Sequence, residues 1–236
     1  MPDFSRRSSE PEWMDGADVS QEDFAGCLAD LDRVNSLTLT RKPTLAFVGE
    51  ALAAAPAGSA PVVVDVGFGA GDMLRAIERL CQRKGHAARL IGIDLNPRSE
   101  PYARAHTAAD SAIEWRTGDL YDWPEGEPLD LVISSQVTHH MDNAEIVQFL
   151  AWMEERTRLG WLVNDLHRHR FAYHGFRLLS WLMRWHPMVR HDGAISVLRS
   201  FTRAEWDRLL GSAGIEGEVA ISWHLMFRYA VARRKW

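Results

Sequence analysis

Val62-Val63-Val64-Asp65-Val66-Gly67-Phe68-Gly69-Ala70-Gly71-Asp72 is the stretch from which the rest of the chain is read. A continuous apolar run fits a strand buried on both faces. Beyond it Met73, Leu74, Ile77, Leu80 and Cys81 recur at three and four residues, which predicts an amphipathic helix. Glycines between a strand and a helix let the backbone turn tightly and let a ligand come close. A dinucleotide fingerprint, Gly-x-Gly-x-x-Gly, would need glycine where this chain has Asp72. A carboxylate in the first turn of that helix would repel a pyrophosphate on the same amides.

The 236 residues suit one α/β domain with additions. A net charge of −5 favours neither nucleic acid nor a polybasic membrane contact. No apolar run approaches 18 residues and no signal peptide is evident, so a cytoplasmic protein is expected. Cys27 and Cys81 make no disulfide framework. Ten tryptophans, six of them at Trp152, Trp161, Trp181, Trp185, Trp206 and Trp223, suggest an aromatic-lined cavity.

Residues 1–20 are polar and read as a flexible tail. Two helices are expected over 21–56, on stripes of Phe24, Cys27, Leu28, Leu31 and of Leu45, Val48, Leu52, broken around 33–37. These form a helical cap, and a linker at Pro56–Pro61 separates it from a domain spanning 60–236. Further strands are expected over 90–94, 112–116, 129–134 and 161–164, alternating with helices, which argues for a parallel sheet covered on both sides. An insertion over 170–200 interrupts the rhythm before Thr202-x-x-Glu205, a capping-box signature. Two closing strands, near 216–222 and 226–232, lie too near one another for a crossover and must be antiparallel.

Asp94 ends the second predicted strand, where nucleotide-binding sheets place an acid on a ribose. Gly118-Asp119-Leu120 follows the third. With Gly67-x-Gly69-x-Gly71 after Val64-Asp65-Val66, these residues resemble the class I S-adenosylmethionine (SAM)-dependent methyltransferases. The resemblance covers roughly residues 60–235. It implies a three-layer, Rossmann-like sheet of seven strands in the order 3-2-1-4-5-7-6, strand seven antiparallel. It also implies SAM as cofactor and S-adenosylhomocysteine (SAH) as product. In that setting Gly67, Gly69 and Gly71 turn against the cofactor, and Asp65 faces the methionine ammonium through water or backbone groups. Asp94 holds the ribose, Asp119 accepts from the adenine amino group with the Leu120 amide donating to the ring, and Leu95 and Ser135 are further cofactor-binding residues.

Ser134-Ser135-Gln136-Val137 follows strand four, where methyltransferases of nucleic-acid bases carry Asn/Asp-Pro-Pro-Tyr/Phe. The same serines cannot supply the ligand trio of the metal-dependent catechol enzymes, so no metal is expected. Val137-Thr138-His139-His140-Met141 is similar to the family's frequent Leu-His-His-Leu. A cation held by His139, His140, His167 and His169 is disfavoured because neighbouring histidines are expected to splay apart. A general base fits better: a phenol has a pKa of about 10 and imidazole about 6.5, so His140 or His167, oriented by Asp165, can take the proton as the methyl moves. His139 is placed against the substrate.

Between Phe171 and Trp185, apolar residues cover nearly the whole helical circumference, leaving Arg170, Arg177 and Arg184 as a polar line. Such a helix is buried on most sides or lies over something apolar. Phe171, Phe176, Trp181 and Trp185 are therefore candidates for the roof of a substrate cavity. A membrane-surface helix is the lesser alternative, and Pro187 ends it too early to span a bilayer. The insertion, with Arg190-His191-Asp192-Gly193, is also similar to small-molecule methyltransferases associated with polyketide synthesis. The expected acceptor is the hydroxyl of a small apolar phenolic or polyketide-derived compound, with no nucleic acid as partner. The alternatives are carbon methylation of a quinone or polyketide enol, and a SAM-binding protein that transfers no methyl group.

Overall fold

The computed structural model describes residues 2–16, 18–215 and 218–236. The run Val62–Val66 is β1, at the middle of a seven-stranded sheet with order β3-β2-β1-β4-β5-β7-β6. Its other strands are Arg89–Asp94 (β2), Glu114–Thr117 (β3), Leu131–Ser135 (β4), Gly160–Leu166 (β5), Val219–His224 (β6) and Arg228–Arg234 (β7). Strands β1 to β5 pair in parallel, while β7 is antiparallel to both β5 and β6. Only three residues join β6 to β7, too few for a crossover. The start of the sixth strand, expected near 216, lies partly outside the described residues.

The unbroken apolar character of β1 has a direct cause: both faces are covered. Val62, Val64 and Val66 pack in one core with Asn143–Arg156 (α5) and Arg203–Ser212 (α8), through Ile146, Phe149, Leu150, Trp206 and Leu209. Val63 points the other way, into a core with Arg41–Ala54 (α2) and Asp72–Lys84 (α3), through Phe47, Val48, Leu74 and Ile77. Each fully buried valine or leucine side chain contributes about 1.5–3 kcal/mol, so this two-sided burial is the main force holding the layers together. Ser99–Ala105 (α4) completes the cover near β3. Glu205 accepts from the Thr202 amide and hydroxyl at the start of α8, as the capping pattern predicts.

Three parts differ from the expectations. The first cap helix, Gln21–Leu37 (α1), runs through 33–37 rather than breaking there, and the chain turns at Thr38–Thr40. The apolar insertion forms two helices, Arg170–Leu182 (α6) and Pro187–Arg199 (α7). Pro187 opens the second of them, since its fixed φ suits a first helical turn. Helix α6 is not enclosed either: Phe171, Leu178, Trp181 and Leu182 are exposed along one stripe, while Phe176 and Leu179 face inward. Finally, residues 2–16 are tied down, with only Met1 and Ala17 of the expected tail outside the described residues. The Arg7 guanidinium donates to the carbonyls of Arg199, His139 and Met141, and the amides of Trp13 and Met14 donate to the Asp192 carboxylate. The segment is a strap across the ends of the strands. No helix of the described residues is long and apolar enough to cross a membrane.

Gly71 has φ +73° at the N-cap of α3, and a Cβ there would come within 2.5 Å of the Trp115 ring and 3.1 Å of Ala103. Gly71→Ala therefore combines left-handed strain with overpacking. It should cost about 2–4 kcal/mol of stability, read as a lower denaturant midpoint in an unfolding titration.

Candidate functional site

A cavity of about 1060 Å³ opens at the C-terminal edge of the parallel strands, where open α/β sheets build their sites. Its roof comes from α1, α6, α7 and the strap. At one end Asp65, Gly67, Gly69, Asp94, Leu95, Asp119, Leu120 and Ser135 line it together. Gly71 stands behind this wall, where its role is the turn itself. The Asp94 carboxylate accepts from the Gly69 amide at 2.9 Å and the Asn96 amide at 2.8 Å, which fastens the end of β2 to the glycine turn. Asp119 is exposed and accepts from the Tyr121 amide at 2.9 Å, capping a short turn over 120–122.

Three acids converge at this end. Asp65 is 2 % exposed, and burial followed by the charges of Asp72 and Asp94 pushes its carboxyl well above the usual range. Burial likewise raises Asp72, opposed by Arg41 at 3.4 Å. It also raises Asp94 against the two amide bonds. Such a wall repels phosphate and would be relieved by a cation. Sequence reading had placed Asp72 only as an obstacle to phosphate; it lines the cavity.

The histidines sort differently from expectation. His139 is buried, its Nδ1 2.7 Å from Asp165 and its Nε2 3.5 Å from Glu12 of the strap. Burial favours the neutral ring, but Asp165 and Glu12 outweigh it and raise the pKa to about 10. His139 is thus an imidazolium that already carries its proton. Asp165, which burial would raise, is brought by His139, Thr138 and the Leu166 amide down to about 2. With its oxygens also taken by the His139 amide, Asp165 positions the turn and does not reach the cavity. His140 is half-buried, lines the cavity, and sets Nδ1 3.0 Å from Asp15.

His139 and His140 do not splay. Their ring centroids are 4.4 Å apart, and with Glu12 they bring one donor atom each within 4.8 Å of one another. The tight turn over 138–140 and the carboxylate on each Nδ1 hold both rings toward Glu12. A charged His139 nevertheless offers no lone pair to a cation. Glu12 and Asp15 are both held below the usual carboxylate range: burial raises each, and the histidines more than offset it. Neither was found in the sequence, although the apolar pair Trp13-Met14 inside a polar segment was a signal that the segment docks.

His167 lies elsewhere. Side chains alternate along β5 and its extension, so Leu166 faces the cavity while His167 packs on Tyr229, Phe227 and Trp223. Burial, then His169 and Arg168, lower its pKa to about 4. Among the proposed roof residues Phe171 and Phe176 line the cavity. Trp181 points to solvent and Trp185 is buried against Cys27, Val34 and Val189. No tryptophan lines the cavity; its aromatic wall is Phe24, Phe68, Tyr121, Phe149, Phe171, Phe176 and Phe227, and the largest buried tryptophans, Trp161 and Trp206, serve the sheet core.

The His139 shift sets a pH dependence. Between about 6.5, the ordinary value, and about 10, the folded state holds a proton that the unfolded state has released. Stability from this group is therefore complete below 6.5 and is lost as pH rises through 10. The melting temperature should fall over that interval, and His139→Gln should remove this part of the slope.

Residues 63–160 match the family described as a methyltransferase domain. No curated protein matches the chain. Among solved structures, the plantazolicin methyltransferase BpumL, crystallised with a pentazolic desmethylPZN analogue and SAH, superposes with a TM-score of 0.64 at 11 % identity, over 89 % of this chain and 90 % of that one. Human N-acetylserotonin methyltransferase with SAM gives 0.56 at 18 % identity, over 92 % and 56 %. Magnesium protoporphyrin IX methyltransferase of Synechocystis with SAH gives 0.53 at 16 %, over 82 % and 83 %. Residues 63–160 are thus similar to a methyltransferase domain, and the chain as a whole has the Rossmann-like fold of these solved SAM-dependent methyltransferases.

Proposed function

We propose that the protein transfers the methyl group of SAM to an oxygen of a small, largely apolar acceptor. The observation that carries the reading is the acidic end of the cavity, where Asp65, Asp72 and Asp94 stand around the glycine turn with raised pKa values. SAM brings an ammonium and a sulfonium to such a wall, and when bound it supplies an electrophilic methyl carbon. Asp94, already oriented by the Gly69 and Asn96 amides, keeps lone pairs for ribose hydroxyls. Asp119 and Leu120 lie at the adenine end.

The remaining volume, walled by Phe149, Phe171, Phe176 and Phe227, takes the acceptor. His140 is the base. Asp15 accepts from Nδ1–H, and Nε2, 3.8 Å from the Glu12 carboxylate and not hydrogen-bonded to it, receives the hydroxyl proton as oxygen bonds to the methyl carbon and the carbon–sulfur bond breaks. His139 cannot share this role because it is already charged. It holds Glu12, and with it the strap, over the reacting groups. The aromatic wall keeps water away from the reacting groups while the positive charge passes from the sulfonium to the His140 ring, where Asp15 faces it.

Calorimetric titration should show SAM and SAH binding and no NAD binding. Asp94→Ala should weaken SAM by about 1.5–3 kcal/mol for each lost bond to the carboxylate; unchanged affinity would refute the cofactor placement. His140→Ala should lower turnover about 10²–10⁴-fold with SAM affinity preserved, and Asp15→Asn should lower it less. Near-normal turnover of His140→Ala at neutral pH would leave positioning alone as the source of catalysis. Chelator treatment should change nothing, and activity restored by added Mg²⁺ or Zn²⁺ would return the histidines to a metal. Mass and NMR analysis of a product from a phenol and enol panel would separate oxygen from carbon methylation, and absence of any product would favour a binding protein.

A further inference from the structure

Arg228 opens β7 beside Leu166 at the end of β5, and it is 2 % exposed. Arg228 is among the residues that line the cavity. Nη2 donates to the Thr38 hydroxyl at 3.2 Å, while Nε and Nη1 have no hydrogen-bond partner among the described residues. The nearest help is weak. Asp165 acts on it through space only, its oxygens being taken by Thr138, His139 and Leu166. The Thr38 hydroxyl is itself shared with Thr40. Burial lowers the Arg228 pKa to about 10, so the guanidinium stays charged at neutral pH.

A buried charge with idle donors is costly unless something pairs with it. We propose that the partner is an anionic oxygen group on the methyl acceptor, a carboxylate or an ionised ring oxygen, set apart from the oxygen that is methylated. This rests on the methyl-transfer reading and sharpens its substrate class from apolar hydroxyl compound to acidic aromatic compound. The sheet order says which ligand supplies the anion. From β1, where the glycine turn receives the methionine end of SAM, to β7 there are three strand steps through β4 and β5. At ~4.8 Å each they amount to roughly 14 Å, which sets the Arg228 backbone well away from the glycine turn and is the ground for assigning the anion to the acceptor. Arginine suits the task because it remains charged and presents planar donors to a carboxylate.

The test is calorimetric binding of matched probes, with and without saturating SAH. 4-Hydroxybenzoate is compared with 4-hydroxybenzyl alcohol, and 4-nitrophenol above its pKa with phenol; the first pair reports a carboxylate and the second an ionised ring oxygen. In the wild type the anion of at least one pair should bind about tenfold or more tightly than its neutral partner, the worth of one charge-assisted bond. Arg228→Gln should lose that preference, and Arg228→Lys should keep part of it. SAH affinity should be the same in all three proteins. Removing an uncompensated buried charge should also leave the Arg228→Gln melting temperature equal to or above that of the wild type, whereas a merely structural arginine would lower it. Equal binding of anion and neutral partner in the wild type, or an undiminished preference in Arg228→Gln, overturns the proposal. Failure of SAH to bind would instead remove the methyl-transfer reading, with the anion preference still legible in the titrations without SAH.

Discussion

Around the ends of the strands the chain buries opposite charges next to one another, and the ion pairs they form decide how the roof is assembled. The central pair is His139 with Asp165, 2.7 Å apart and closed to solvent. One partner belongs to the turn after β4 and the other to β5, so the pair locks two neighbouring strand ends. Glu12 then joins from the strap, and Arg7 and Arg199 hold the carbonyls of the same turn. Removing either member of a buried pair leaves the other unmatched, which costs far more than the pair contributes as a whole. The roof is consequently coupled to the sheet by electrostatics as much as by packing.

The two ends of the cavity are polarised in opposite senses. Asp65, Asp72 and Asp94 gather carboxyl groups on the β1–β2 side, where burial opposes their ionisation, and Arg228 sits on the β5–β7 side. The same cavity is lined by Phe149, Phe171, Phe176, Phe227 and His140. A cationic cofactor and the proposed anionic acceptor would each meet complementary groups there.

The sheet was legible because its physics is local. A strand covered on both faces needs an unbroken apolar run, a helix on a sheet needs a 3.6-residue stripe, and β1 followed by α3 states both within about twenty residues. The glycine turn, Asp94 and Asp119 were legible for the same reason: each follows a strand end at short range. What escaped depends on contacts between distant segments. Glu12 and Asp15 sit in a polar stretch whose partners lie beyond residue 138. His167 was misplaced because β5 runs two residues further than its apolar core suggests, which turns that ring to the opposite face. Trp181 and Trp185 looked equivalent by composition, yet one turn of chain between α6 and α7 sends one to solvent and the other into the interior. Arg228 carries no motif, and only its burial marks it out.

The strap has a further consequence for the order in which the molecule is assembled. Arg7 meets Arg199 across 192 positions of sequence, and Ser196 meets Glu12 across 184. Although the strap is made before α7, its docking surface does not exist until α7 has been made and packed. Contacts of such long range form late in folding, since the entropy of closing the intervening loop must be met before they return anything. The finished molecule should retain a trace of that history. The strap is fixed by ion pairs and by Met14, Phe4 and Trp13 against partners on distant elements, so it seats only when those elements are in place. The roof of the cavity is thus closed by a segment made before the surfaces on which it rests.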